Sequence, residues 1–146
     1  EMCIRDSKYA QKMLELARDE NVQLILTGWL EKDELKSAYR ISDAVVVPSI
    51  YLDPFPTVNL EAMACRKPVV GTCFGGSPEV VQNNKTGFIV NPLNITELSE
   101  KIKYLLQNPA KAESMGKAGY NRVVKYFSLE EQVSKYLAYF ARVWPS

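Results

Sequence analysis

Apolar residues recur along the chain with two periods, one near 3.6 and one that is short and continuous. Ala10, Met13, Leu14 and Ala17 stand at i, i+3, i+4 and i+7, which predicts an amphipathic helix over residues 8–20. Residues 22–27 (VQLILT) form an apolar run that ends at Gly28 and predict a buried strand. A second helix follows over 31–40, with Leu35, Ala38 and Tyr39 inward, then a strand over 44–47 stopped by Pro48. Pro54 and Pro56 make the next loop irregular. Thr57 is expected to cap a helix that carries Leu60, Ala62, Met63 and Ala64. Residues 68–72 predict a third strand and 86–90 a fourth. Between them, Gly75-Gly76-Ser77-Pro78 predicts a turn into a short helix, with Ser77 as N-cap and Pro78 in first position. Asn94 with Glu97 and Ser128 with Glu131 read as capping boxes opening two further helices, and Asn108-Pro109 starts one between them.

Strands that alternate with helices predict an α/β fold: a Rossmann-like parallel sheet with helices on both faces. In such sheets ligands bind beyond the carboxyl ends of the strands. Here those ends are Thr27, Pro48, Thr72 and Val90, and the proline and glycine loops follow them. The length of 146 residues suits one domain, expected over residues 8–146 after an uncertain leader at residues 1–7.

Composition narrows the function. A formal charge of +1 argues against binding nucleic acid through bulk electrostatics. The chain has no histidine, which removes imidazole from any acid/base or metal role. Its three cysteines, Cys3, Cys65 and Cys73, form no C-x-x-C pair and fit a reducing, cytoplasmic setting without a disulfide framework or metal site. Cys65 and Cys73 are expected as small buried hydrophobes. No apolar run approaches the ~20 residues that cross a bilayer.

Candidate chemistry lies between residues 48 and 81. Asp53 precedes a helix start, and Glu61 falls about one turn into the helix. Amides at Thr57 and Val58 would be unpaired donors of that helix end, where free N–H groups and the macrodipole attract an anion. A carboxylate can accept two sugar hydroxyls at once. Two carboxylates around a phosphate-seeking helix end suit a ligand with a phosphate between polyols.

The same stretch resembles the signature of family-4 glycosyltransferases, which have the two-domain GT-B fold. Asp53 and Glu61 are separated by seven residues; Glu61-Ala62-Met63-Ala64, Pro68-Val69-Val70 and Gly75-Gly76-Ser77-Pro78-Glu79 follow in order. The resemblance implies the C-terminal, donor-binding half of a retaining enzyme that takes a nucleoside-diphosphate sugar as substrate, with no metal or other cofactor. It implies ribose hydroxyls on Glu61, the transferred sugar near Asp53, and the diphosphate on amides of Thr57 and Val58. Leu30 would line the base, and Phe55, Pro56, Gly75 and Gly76 would border the donor. It further implies a missing N-terminal acceptor domain as partner, the only part expected to meet a membrane surface.

Three departures stand against that pattern. Asp53 replaces the usual Glu. Arg66 replaces the glycine that ends the helix in a left-handed conformation, which costs a non-glycine residue about 1–2 kcal/mol, so the turn is expected to be strained or rebuilt. The upstream glycine loop with its Arg and Lys clamp is not found, so the chain is expected to be incomplete and inactive alone. Plainer roles stay open: Glu61 as a first-turn helix acid, Asp53 as a turn-former, Gly75-Gly76 as a simple turn, Phe55 as packing under its loop. A non-catalytic Rossmann-like interaction module and a sugar-nucleotide epimerase remain alternatives.

Overall fold

Three short β-branched or glycine-containing runs build the sheet of the computed structural model, which describes residues 8–144. The expected leader at 1–7 lies outside the described residues. Strands β1 (Val45–Val47), β2 (Val69–Thr72) and β3 (Gly87–Val90) pair in parallel in the order β1-β2-β3. The register sets Val46 against Val70 and Val70 against Phe88. Alternate side chains leave opposite faces of a strand. Val46, Val70, Phe88 and Val90 therefore join one core, and Val45, Val47, Val69 and Ile89 join another.

Helices cover both faces, as the alternation of elements predicts. The first core is closed by α5 (Ile95–Gln107) and α6 (Pro109–Tyr126) through Leu105, Ala112 and Met115. The second is closed by α3 (Thr57–Ala64) through Ala62 and Met63, and by α4 (Ser77–Val80) through Val80. Tyr39 of α2 (Lys32–Ile41) and Val123 of α6 complete it. The last helix, α7 (Leu129–Val143), buries no residue.

The chain divides after Leu35 into two compact units. In the N-terminal unit α1 (Lys8–Asp19) buries Ala10 and half-buries Met13, Leu14 and Ala17, the stripe read from the sequence. The strand expected at 22–27 does not form: among the described residues this segment is irregular, and Val22, Leu24 and Ile25 are exposed. A parallel strand exists only through ladder bonds to a neighbour and cover on its faces. An apolar run without them leaves its side chains open to water.

Two caps fall as expected and two shift by one residue. Asn94 Oδ1 accepts from the Glu97 amide, and Ser128 Oγ from the Glu131 amide. At α3 the N-cap is Pro56 and Thr57 is the first helical residue. At α4 the N-cap is Gly76, because the Ser77 hydroxyl accepts from Asn59 instead of capping. In α5 Leu105 is buried and its neighbour Leu106 is exposed.

The end of α3 keeps the backbone form that normally needs glycine. Arg66 has φ +60°, its amide donates to Met63 O, and the Lys67 amide donates to Ala62 O. These two bonds make a Schellman motif with Arg66 in the left-handed place. The guanidinium lies 4.7 Å from the Tyr120 ring centre. The Arg66 carbonyl passes so close to Gly116 of α6 that a Cβ there would overlap it.

Candidate functional site

Two loops leave the carboxyl ends of neighbouring strands and meet. The loop after β1 carries Asp53, Phe55 and Pro56 into α3; the loop after β2 carries Gly75 and Gly76 into α4. The Gly76 amide donates to Asp53 O at 2.8 Å. Gly75 has φ +62°, and a Cβ on Gly75 would overlap the backbone of Asp53, while one on Gly76 would overlap Pro54 O. Gly75-Gly76 is thus not a free turn: only glycine lets the second loop lie on the first.

The Asp53 carboxylate accepts from the Phe55 amide at 3.0 Å, which fixes the turn toward the helix. The Phe55 ring stands 6.0 Å from that of Phe127. Pro56 is buried and offers α3 no side-chain cap. Thr57 and Val58 are exposed, so the start of α3 opens to solvent with its amide donors and the positive end of its dipole. Glu61 follows one turn later, also exposed. Its Oε2 accepts from the Tyr39 hydroxyl at 2.9 Å. Burial, and then the bond to the Glu61 carboxylate, raise the pKa of the Tyr39 hydroxyl well above its ordinary value, so that it holds its proton more tightly. Leu30, half-buried, lies in the N-terminal unit just before α2.

Beneath this surface are residues that carry no motif. Asn59 is fully buried; its Nδ2 donates to Ser77 Oγ at 3.1 Å and joins the starts of α3 and α4. Among the described residues its Oδ1 has no partner. Its signal in the sequence is a polar residue three and four positions before Ala62 and Met63, on the same helical face. Arg122 of α6 donates from Nε to Val80 O at 2.8 Å and from Nη2 to Glu79 O at 2.7 Å, bracing the end of α4. The same guanidinium lies over the Phe127 ring, which faces Phe55. Both loops are therefore held from below, by Asn59 and by Arg122. Cys65 is half-buried, but Cys73, expected in the core, is exposed because it follows β2 into the loop.

Among the described residues no three His, Cys, Asp or Glu side chains group as a metal site, and no helix is long and apolar enough to cross a membrane.

The profile of the family described as "Glycosyl transferases group 1" matches residues 3–122. Sulfoquinovosyl transferase SQD2 of Arabidopsis thaliana is 37% identical over 105 residues, covering 70% of this chain and 20% of that protein. A GDP-mannose-dependent alpha-(1-6)-phosphatidylinositol monomannoside mannosyltransferase of Mycobacterium tuberculosis is 31% identical over 119 residues, covering 76% and 31%. Sucrose-phosphate synthase from Thermosynechococcus elongatus superposes with a TM-score of 0.79 at 31% identity, over 94% of this chain and 36% of that one. The fold matches GT-B glycosyltransferase structures. The chain spans only a fifth to about a third of the length of these relatives.

Proposed function

The chain belongs to the glycosyl transferases group 1 family, and from that premise we propose that it is the donor-binding part of a retaining family-4 glycosyltransferase. The observation that carries the proposal is the open, uncapped start of α3, with Asp53 ahead of it and Glu61 one turn inside. The donor is a nucleoside-diphosphate sugar. Its diphosphate meets the Thr57 and Val58 amides, where backbone donors and the helix dipole match its charge. Glu61 accepts the ribose hydroxyls, and Asp53 stands by the transferred sugar with Phe55, Pro56, Gly75 and Gly76 around it.

Transfer breaks the bond between the anomeric carbon and the diphosphate and forms one to an acceptor oxygen on the same face. The acceptor proton passes to the leaving diphosphate. The protein's share is orientation and stabilisation of the leaving charge, and the chemistry asks for no metal. The acceptor is held by a second, N-terminal domain, and transfer requires both. A mycobacterial relative is named for GDP-mannose, which supports a nucleotide-sugar donor. Family membership favours transfer over epimerisation or a purely structural role.

Calorimetric titration of UDP and GDP into the protein tests the proposal. One of them should bind saturably, and Glu61→Ala should weaken it by about tenfold to a hundredfold, the cost of losing hydrogen bonds to a charged acceptor. Binding of neither nucleotide, or unchanged affinity in Glu61→Ala, would overturn it.

A further inference from the structure

Glu61 reaches outward from α3, where an exposed glutamate ordinarily samples several rotamers. Here it does not stand alone. Tyr39, at the end of α2, packs its ring against the Ala62, Met63 and Val80 core and donates its hydroxyl to Glu61 Oε2 at 2.9 Å. The two residues are 22 apart in sequence and belong to different helices. The ring is anchored in the core, so the donor atom is fixed relative to α3.

A carboxylate offers about four lone-pair sites on its two oxygens. A vicinal diol that chelates it uses one site on each oxygen. The tyrosine hydroxyl uses a third, on Oε2, and leaves both diol sites free. Tyr39 therefore does not compete with the ligand. It removes rotational freedom from the carboxylate before the ligand arrives, the usual route by which preorganisation raises affinity.

We propose that Tyr39 is a positioning residue that holds the Glu61 carboxylate ready to receive a vicinal diol, and so sets selectivity for a ribose over a deoxygenated sugar. This rests on the ribose role given to Glu61 above. The effect should be confined to ligands that bear the diol, whereas a merely structural Tyr39 would weaken all ligands alike.

The test compares Tyr39→Phe with the unaltered protein, using a nucleoside diphosphate (UDP or GDP, whichever binds) and its 2′,3′-dideoxy counterpart. Phenylalanine keeps the anchored ring and removes only the hydroxyl. Affinity for the ribonucleotide should fall about tenfold, the effect of one hydrogen bond to a charged group. Affinity for the dideoxy compound should be unchanged, which also shows that the variant is folded. In a Glu61→Ala background, Tyr39→Phe should have no further effect. If the unaltered protein binds both compounds equally, the ribose role of Glu61 fails and this proposal with it. If it prefers the ribonucleotide and Tyr39→Phe keeps that preference in full, or lowers both affinities together, Glu61 retains its role and the positioning by Tyr39 is wrong.

Discussion

Asn59 and Ser77 are 18 residues apart in sequence, yet their fully buried side chains share a hydrogen bond of 3.1 Å. The bond fastens the start of α3 to the start of α4, and both helices follow loops that carry candidate ligand groups. Asn59→Ala should destabilise the protein by about 1–3 kcal/mol, because Ser77 would keep a buried hydroxyl without a partner. Ser77→Ala should cost a comparable amount, and the double variant less than the sum, since the two residues act as a pair. Urea denaturation of the four proteins measures the coupling; strictly additive losses would show that the bond contributes nothing.

Gly75 and Gly76 lie against the backbone of Asp53 and Pro54 with no space for a Cβ. Alanine at Gly75 meets that obstacle and also a left-handed φ of +62°. Backbone cannot move aside as a flexible side-chain tip can, so the two loops must separate. Gly75→Ala and Gly76→Ala should each lower stability and weaken nucleoside-diphosphate binding at least tenfold. Gly28→Ala is the contrast: its φ is +69°, but a Cβ there meets nothing within 4 Å. It should cost only the left-handed strain of about 1–2 kcal/mol and leave the α3 loop unchanged. Thermal melts combined with nucleotide titration separate the cases, and full binding in Gly76→Ala would contradict the close packing.

Periodicity made α1 and α2 legible, because each shows its inward face in its own sequence: Leu35, Ala38 and Tyr39 in α2 are all partly buried as expected. The strands over 45–47, 69–72 and 87–90 were legible as short apolar runs bounded by turn residues. The run at 22–27 was misread because strand formation depends on a neighbour that the run does not encode. The caps at Thr57 and Ser77 were displaced by tertiary demands: an extended proline took one cap, and a distant asparagine took the serine hydroxyl. At the site, Asp53, Glu61 and the two glycines were visible as a motif. The partners that hold them were not. Tyr39, Asn59 and Arg122 act across 22, 18 and about 40 residues of sequence, and no local pattern announces such pairings.

At Arg66 the turn was expected to be either strained or rebuilt, and it keeps the left-handed form, at φ +60°. Two opposed effects follow. Glycine there would relieve about 1–2 kcal/mol of backbone strain, while losing the guanidinium over Tyr120 would cost about 0.5–1 kcal/mol. Arg66→Gly should therefore be neutral or stabilising by up to about 1.5 kcal/mol. Arg66→Ala keeps the strain and loses the ring contact, so it should destabilise by about 0.5–1 kcal/mol. Equal stabilities of the two variants in guanidinium denaturation would show that the Schellman turn stores no strain.

Tyr39 makes stability depend on alkaline pH in a defined direction. Burial, then the hydrogen bond to Glu61, raise its hydroxyl above the ordinary tyrosine value of 10.0. Above that value the unfolded chain gives up a proton that the folded protein retains. The folded state then binds more protons, and stability falls as pH rises. The contribution of Tyr39 is complete below pH 10.0 and is lost progressively from there toward the raised folded value. Tyr39→Phe has no proton to lose at this site. Near neutral pH it should be less stable by about 0.5–1.5 kcal/mol, the net worth of one hydrogen bond. Above about pH 10, where free tyrosine ionises, the gap should narrow, because only the unaltered protein carries the penalty. Every other tyrosine is common to both proteins and cancels in the difference. Urea denaturation at a series of pH values from neutral into the alkaline range measures that gap. A gap that stays constant would mean that the hydroxyl titrates alike in the folded and unfolded chains, and one that widens that its folded value is lowered; either would contradict the bond to Glu61.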